Sequence, residues 1–184
     1  VVDKTGTLTE GKPSVTAIVS AGAHAEAELL RLAAGVEKVS EHPLAAAIIA
    51  AAEARNISVP SVENFDSPSG KGALGTVEGK KILLGNRGFM DEQKVDVTSL
   101  TAKADALRQD GATAIFMAID GRNAGIFAIA DAIKDTTPAA LDALKNDCIR
   151  IVMLTGDNRT TAQAVAGRLG ITDVEAEILP DHKS

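Results

Sequence analysis

The chain opens with two apolar residues, Val1 and Val2, that run straight into Asp3-Lys4-Thr5-Gly6-Thr7-Leu8-Thr9. This pattern is the end of a buried strand delivering a carboxylate into a turn of small and hydroxyl residues. Gly6 tolerates left-handed backbone, so the turn can point amides at an anion. Open α/β sheets bind ligands at the carboxyl edges of their strands, and an aspartate there can act as a nucleophile toward phosphorus. Near the other end, Ile149 to Leu154 is a continuous apolar run of the type buried in parallel sheets. It ends in Thr155-Gly156-Asp157, which can face Asp3 across one sheet edge and offer a hydroxyl and an amide to phosphoryl oxygens. Taken singly, the first string is also an ordinary strand-to-loop turn, and the second a turn whose aspartate caps a helix.

The stretch between them follows another grammar. Glu10-Gly11-Lys12-Pro13 reads as a turn and a crossing point between domains, and Ser14 to Ser20 has strand composition. Leu29, Leu32, Ala33, Val36 and Val39 follow helical spacing from Ala25 to Val39. Pro43 suits the first position of a second, Ala-rich helix, Leu44 to Arg55. His42 then falls at or beside its N-cap, and Glu37 near the end of the preceding helix. Strands follow at Val62 to Phe65, Ala73 to Val77 and Lys81 to Leu84, with Ser67-Pro68-Ser69-Gly70-Lys71-Gly72 at the entrance of a hairpin. Asn86 to Glu92 and Thr98 to Gln109 read as helices. Thr113 to Ile119 and Asn123 to Ala130 flank Asp120-Gly121, a strong hairpin signal. A helix starts at Thr137-Pro138 and runs to Asn146, another covers Arg159 to Leu169 before Gly170, and Val174 to Ile178 is a short strand. The economical topology is a parallel-sheet domain of residues 1–12 and 131–184, with an α+β domain of residues 13–130 inserted into it.

Composition narrows the classes. Hydrophobic residues make up 45% of the 184, but aromatics only 2%, with no Trp and no Tyr. The core is therefore expected from Ala, Val, Ile and Leu. A net charge of −6 argues against a general nucleic-acid surface or an acidic-membrane surface. Cys148 is the single cysteine, which excludes an internal disulfide and a cysteine-pair metal site. No apolar run reaches the ~20 residues of a membrane helix, and no signal-peptide pattern opens the chain. Because the chain begins inside a strand, it reads as an excised piece of a larger protein.

The string Asp3-Lys4-Thr5-Gly6-Thr7-Leu8-Thr9 resembles the phosphorylation motif of P-type cation-transporting ATPases, a branch of the haloacid dehalogenase superfamily. Met153-Leu154-Thr155-Gly156-Asp157 resembles the second phosphoryl-binding motif of those pumps. The resemblance implies a haloacid-dehalogenase-like, Rossmann-like phosphorylation domain carrying an inserted nucleotide-binding domain. It makes Asp3 the nucleophile, with Lys4, Thr5, Thr155, Gly156 and Asp157 around it, and Lys183 in Leu179-Pro180-Asp181-His182-Lys183 the lysine at the phosphoryl group. Asp131-Ala132-Ile133-Lys134 resembles the family's hinge. The Asp3 carboxylate and the Thr5 carbonyl would be ligands of Mg2+, and ATP the substrate.

Ser40-Glu41-His42-Pro43-Leu44 resembles the signature of the heavy-metal, class IB branch, in which the histidine helps orient adenine. A flat partner for adenine must here be an imidazole or one of four Phe. Glu37 matches the family glutamate near the adenine ring, Gly70 and Gly72 the glycine pair that lets nucleotide approach the backbone, and Asn86 an asparagine supporting that pocket. Without the family, these residues read as a helix-capping histidine, a helix-end charge, a hairpin entrance and a helix cap.

The resemblance covers the whole chain and ends before the family's downstream GDGxND segment. The actuator domain and membrane helices, expected as partners in the same polypeptide, are not in it. Superfamily phosphatases usually carry a second aspartate where this chain has Thr5, and a hydroxyl cannot activate water as a carboxylate does. The expectation is the ATP-binding and autophosphorylation unit of a heavy-metal pump at the cytoplasmic face of a membrane, without nucleic-acid partners or membrane insertion of its own. Ser40-Glu41-His42-Pro43, with a glutamate before the histidine, resembles the copper(I) branch more than the zinc/cadmium branch. A soluble phosphatase with a cap domain and a nucleotide-sensing module are the alternatives.

Overall fold

The computed structural model describes residues 1–178. In chain order the elements are β1 Val2–Asp3, β2 Ser14–Ser20, α1 Glu26–Glu37, α2 Pro43–Ala54, β3 Val62–Asp66, β4 Gly72–Val77, β5 Lys80–Gly85, α3 Arg87–Glu92, α4 Thr98–Gln109, β6 Thr113–Ile119, β7 Arg122–Ala130, α5 Thr137–Asn146, β8 Val152–Leu154, α6 Arg159–Arg168 and β9 Asp173–Glu175. They divide into two compact units. One combines Val1–Pro13 with Ala106–Thr113 and the chain from Ala130 onward; the other combines Ser14–Asp105 with Ala114–Ile129.

The first unit carries a parallel sheet in the order β1-β8-β9. Asp3 is in register with Leu154, and Leu154 with Glu175. Its core packs Leu8, Leu141, Ile151 and Met153 against Ala162, Val165, Ala166 and Leu169 of α6 and its end. The second unit carries a six-stranded sheet in the order β2-β7-β6-β5-β4-β3, antiparallel through β3, β4, β5 and β6. The apolar stripe of α1, with Leu29, Leu32, Ala33 and Val36, packs with Ala47, Ile48 and Ala52 of α2 onto Val77, Ile82, Leu84, Met117 and Phe127. Burying side chains of this size stabilises by about 1.5–3 kcal/mol each.

The hairpin turns have the geometry their sequences imply. Glu78 and Gly79 take φ of 51° and 76°, and Asp120 and Gly121 take 49° and 76°. Positive φ at both central residues belongs to the turn that matches strand twist.

Three expectations need correction. Aromatic residues do enter the core, because Phe89, Phe116 and Phe127 are at most 2% exposed. The strand expected from Ile149 begins only at Val152. Cys148 turns the chain with φ of 58°, and the Ile149 amide closes α5 by donating to the Leu144 carbonyl at 3.0 Å. The last strand stops at Glu175 because the Glu177 and Ile178 amides turn aside to the Asp157 and Thr155 carbonyls, at 2.9 and 3.2 Å.

Candidate active site

Two parallel strands that pair in register end side by side. Asp3 closes β1 and Thr155 follows β8 directly, so both stand at one carboxyl edge of the sheet. Asp3 is half-buried, Lys4 and Thr155 are buried, and Thr5, Gly6 and Thr7 form an exposed tight turn. Gly6 sits at φ of 78°, where a glycine is least strained.

Lys4 points away from the exposed turn and pairs its ammonium with Asp157. Asp157 therefore does not cap the following helix. Asn158 does, accepting the Thr161 amide at 3.0 Å, and the Asp157 amide donates to the Thr155 hydroxyl at 3.1 Å. The Thr155 amide donates to the Glu175 carbonyl at 3.0 Å, which holds the turn against β9.

A second bracket grips the turn after β1 from behind. The Thr9 hydroxyl, wholly buried, lies 2.5 Å from an Asp131 carboxylate oxygen and accepts the Gly6 amide at 3.3 Å. The Gly11 and Lys12 amides also donate to Asp131, each at 3.0 Å. Lys134 donates from its ammonium to the Gly6 carbonyl at 2.6 Å. The Gly6 amide is thus turned back into the protein.

In the second unit, a groove of about 390 Å³ opens along the α1–α2 junction, lined by Glu37, Ser40, Glu41, His42, Ile49 and neighbours. Glu37 is the last residue of α1, 8% exposed, and its Oε2 has no hydrogen-bond partner. Burial raises its pKa, offset in part by a hydrogen bond with Ser40. His42 caps α2 by accepting the Leu44 amide on Nδ1 at 3.1 Å. An imidazole nitrogen that accepts must be unprotonated, and partial burial likewise lowers the His42 pKa. With three phenylalanines locked in the core and Phe65 packed against it, His42 is the flat ring left at the groove.

Gly70, Gly72 and Asn86 form a separate cluster and do not line that groove. The Asn86 side chain accepts the Phe89 amide at 2.9 Å and donates to the Gly70 carbonyl at 3.0 Å. Gly72 faces Gly85 across the β4–β5 ladder. A Cβ at Gly72 would lie 2.0 Å from the Leu84 carbonyl oxygen, and one at Gly85 would lie 2.6 Å from that of Lys71. The strands approach this closely only because both residues lack side chains.

A family model described as haloacid dehalogenase-like hydrolase matches residues 1–183. The chain belongs to the haloacid dehalogenase-like hydrolases. It is 53% identical over 183 residues to a silver exporting P-type ATPase of Salmonella typhimurium, covering 100% of this chain and 22% of that protein. It is 48% identical over 183 residues to a copper-transporting P-type ATPase of Rhizobium leguminosarum bv. viciae, again covering 100% and 22%. A crystal structure of a zinc-transporting PIB-type ATPase superposes with a TM-score of 0.74 at 36% identity, over 98% of this chain and 29% of that one. The chain thus spans about a fifth of the length of the curated relatives it matches.

In this haloacid dehalogenase-like chain, Asp3, Lys4, Thr5, Thr155, Gly156 and Asp157 share one sheet edge, and Glu37 and His42 share one groove. Lys183 lies outside the described residues. Sequence reasoning missed Thr9, whose partner is far away in the chain, and Gly85, which the strand read as ending at Leu84 leaves out although it closes β5. Among the described residues no helix is long and apolar enough to cross a membrane.

Proposed function

We propose that this chain is the ATP-binding and autophosphorylation unit of a heavy-metal pump, with copper(I) or its close chemical relative silver(I) as the transported ion. In this reading residues 1–12 and 131–184 are the phosphorylation domain, and residues 13–130 the inserted nucleotide-binding domain. The observation that carries it is the register of Asp3 with Leu154, which brings the Asp3 carboxylate and the Thr155 hydroxyl to neighbouring strand ends. The named substrates of the similar pumps support the choice of metal.

Glu37, His42, Gly70, Gly72 and Asn86 hold ATP. An Asp3 carboxylate oxygen attacks the γ-phosphorus in line, the bond to the β-phosphate oxygen breaks, and ADP leaves. Thr155 and amides of the exposed turn bind phosphoryl oxygens, and Lys183 neutralises their charge. The Asp3 carboxylate and Thr5 carbonyl would hold Mg2+, which takes hard oxygen donors. Among the described residues no group of three or more His, Cys, Asp or Glu side chains could hold a metal. When bound, the ion lowers the charge on the transferring group.

The rival is a soluble phosphatase of the same family. Thr5 counts against it, because no carboxylate stands there to activate water for attack on the aspartyl-phosphate. The test incubates the chain with γ-labelled ATP and Mg2+, then measures acid-stable, hydroxylamine-sensitive label and released phosphate. Slow labelling with near-zero steady-state release, lost in Asp3→Asn, is expected. Multiple-turnover release abolished by Asp3→Asn would establish the phosphatase instead.

A further inference from the structure

We propose that Thr9 is a positioning residue for a divalent cation: its buried hydroxyl locks the peptide between Thr5 and Gly6 so that the Thr5 carbonyl faces outward. This rests on the reading of the turn after β1 as the phosphorylation site, and it says what holds that turn in its cation-binding form.

Thr5 takes φ of −77° and ψ of 123°, and Gly6 takes φ of 78° and ψ of −16°. These angles make a type II turn, whose ideal values are about −60° and 120°, then about 80° and 0°. A type I turn over the same residues differs chiefly by a half-rotation of the central peptide. In a planar trans peptide the C=O and N–H point opposite ways. One rotation therefore decides which group faces out: the Thr5 carbonyl, a cation ligand, or the Gly6 amide, an anion donor. Glycine populates both signs of φ about equally, so Gly6 leaves the choice to its surroundings.

Thr9 makes that choice. The Gly6 amide donates to the Thr9 hydroxyl at 3.3 Å, and Thr9 is wholly buried. The Thr5 carbonyl must then point away from Thr9, within a stretch whose residues 5–7 are exposed. Asp131 keeps the hydroxyl in its accepting role. An ionised carboxylate only accepts, so it takes the Thr9 proton and leaves oxygen lone pairs to Gly6. The other acceptor near that proton, the Lys4 carbonyl at 3.1 Å, already receives the Thr9 amide. The following peptide is anchored separately, because the Gly6 carbonyl accepts the Lys134 ammonium at 2.6 Å. A carbonyl held outward is a hard oxygen donor of the kind Mg2+ takes. Groups that orient a ligand from behind set metal affinity by about 10- to 100-fold.

The test follows the isotope-labelled whole chain by NMR during titration with Mg2+ in the absence of nucleotide. In wild type the Gly6 amide should exchange slowly with solvent, and the Thr5 carbonyl resonance should move as Mg2+ is added. Thr9→Val should lose the Gly6 protection and weaken Mg2+ binding by about tenfold or more. Thr9→Ser, which restores the hydroxyl, should stay within about twofold of wild type. Gly6→Ala reaches the same peptide by another route. A Cβ there meets nothing within 4 Å, so alanine opposes only the positive φ. It should reproduce the loss with Thr9 intact, whereas Gly6→Asn, which tolerates this φ, should keep most of the affinity. Because both act on one peptide, Thr9→Val and Gly6→Ala together should lose little more Mg2+ affinity than either alone. Wild-type affinity in Gly6→Ala or Thr9→Val, or losses that add in the double variant, would overturn the proposal. If Mg2+ moves no resonance around Asp3 in wild type, or moves them equally in Asp3→Asn, the phosphorylation reading itself falls, and this inference with it.

Discussion

The Lys4 ammonium is paired with the Asp157 carboxylate, so the turn after β1 and the turn after β8 are joined by an ion pair. The two side chains are only 9% and 19% exposed. Removing one partner of such a pair strands the other charge away from water and costs about 3 kcal/mol. Lys4→Met and Asp157→Asn should each lower the urea midpoint accordingly. The double variant should lose less than the sum by more than about 1 kcal/mol. Strict additivity would show that the pair is not coupled.

Thr9 should tolerate only a hydroxyl. Its side chain is fully buried and meets Asp131 on one side and the Gly6 amide on the other. Thr9→Val keeps the volume and removes the donor to a carboxylate, for an expected loss of about 1.5–3 kcal/mol. Thr9→Ser should recover most of it. Thermal melts of the three proteins decide the matter, and equal stability of the valine and serine variants would refute it.

Gly70 and Gly72, at the entrance of the β4–β5 hairpin, should respond differently to alanine. At Gly72 an added Cβ meets the Leu84 carbonyl oxygen at 2.0 Å, whereas at Gly70 it meets nothing within 4 Å. Gly70→Ala then suffers only from its left-handed φ of 71°, worth about 1 kcal/mol. Gly72→Ala must separate β4 from β5 at Gly85 and should exceed about 3 kcal/mol. Chemical denaturation that ranks them the other way would rule out this close approach.

Glu37 and His42 should give opposite slopes to stability against pH. The folded pKa of Glu37 lies above 4.5, so its contribution is present below 4.5 and is lost as pH rises through the folded value. The folded pKa of His42 lies below 6.5, so its contribution is present above 6.5 and is lost as pH falls through the folded value. Glu37→Gln should therefore gain melting temperature over wild type as pH rises toward neutrality. His42→Asn keeps a good N-cap acceptor and should remove the decline seen as pH falls below 6.5 in wild type. It should also weaken ATP binding by about 1–2 kcal/mol. Parallel melting curves at every pH would contradict both assignments.

What the residues reveal in advance is whatever is local. Helical spacing announces α1, Asp120-Gly121 announces the β6–β7 turn, and the two apolar runs ending at Asp3 and Thr155 announce adjacent parallel strands. Contacts between distant residues leave no such mark. Thr9 and Asp131 are 122 positions apart, and nothing near either one names the other. Asp157 has a local reading, as a helix cap, and the structure gives its carboxylate to Lys4 instead. The burial of Glu37 was hidden for the same reason. A charge at a helix end is usually solvated, whereas Glu37 is buried in a unit where α2 packs against α1.

Residues 9–12 and 131–134 run alongside each other as a short ribbon. Thr9 bridges to Ile133, the Glu10 amide donates to the Ala132 carbonyl at 2.8 Å, and the Lys134 amide donates to the Leu8 carbonyl at 3.1 Å. Two passages of the chain bonded in this way act mechanically as one strut. A pull on either passage loads Asp131, then Thr9, and so reaches the backbone of the turn that follows Asp3. Displacing either passage must therefore break these bonds or carry the other passage along with it.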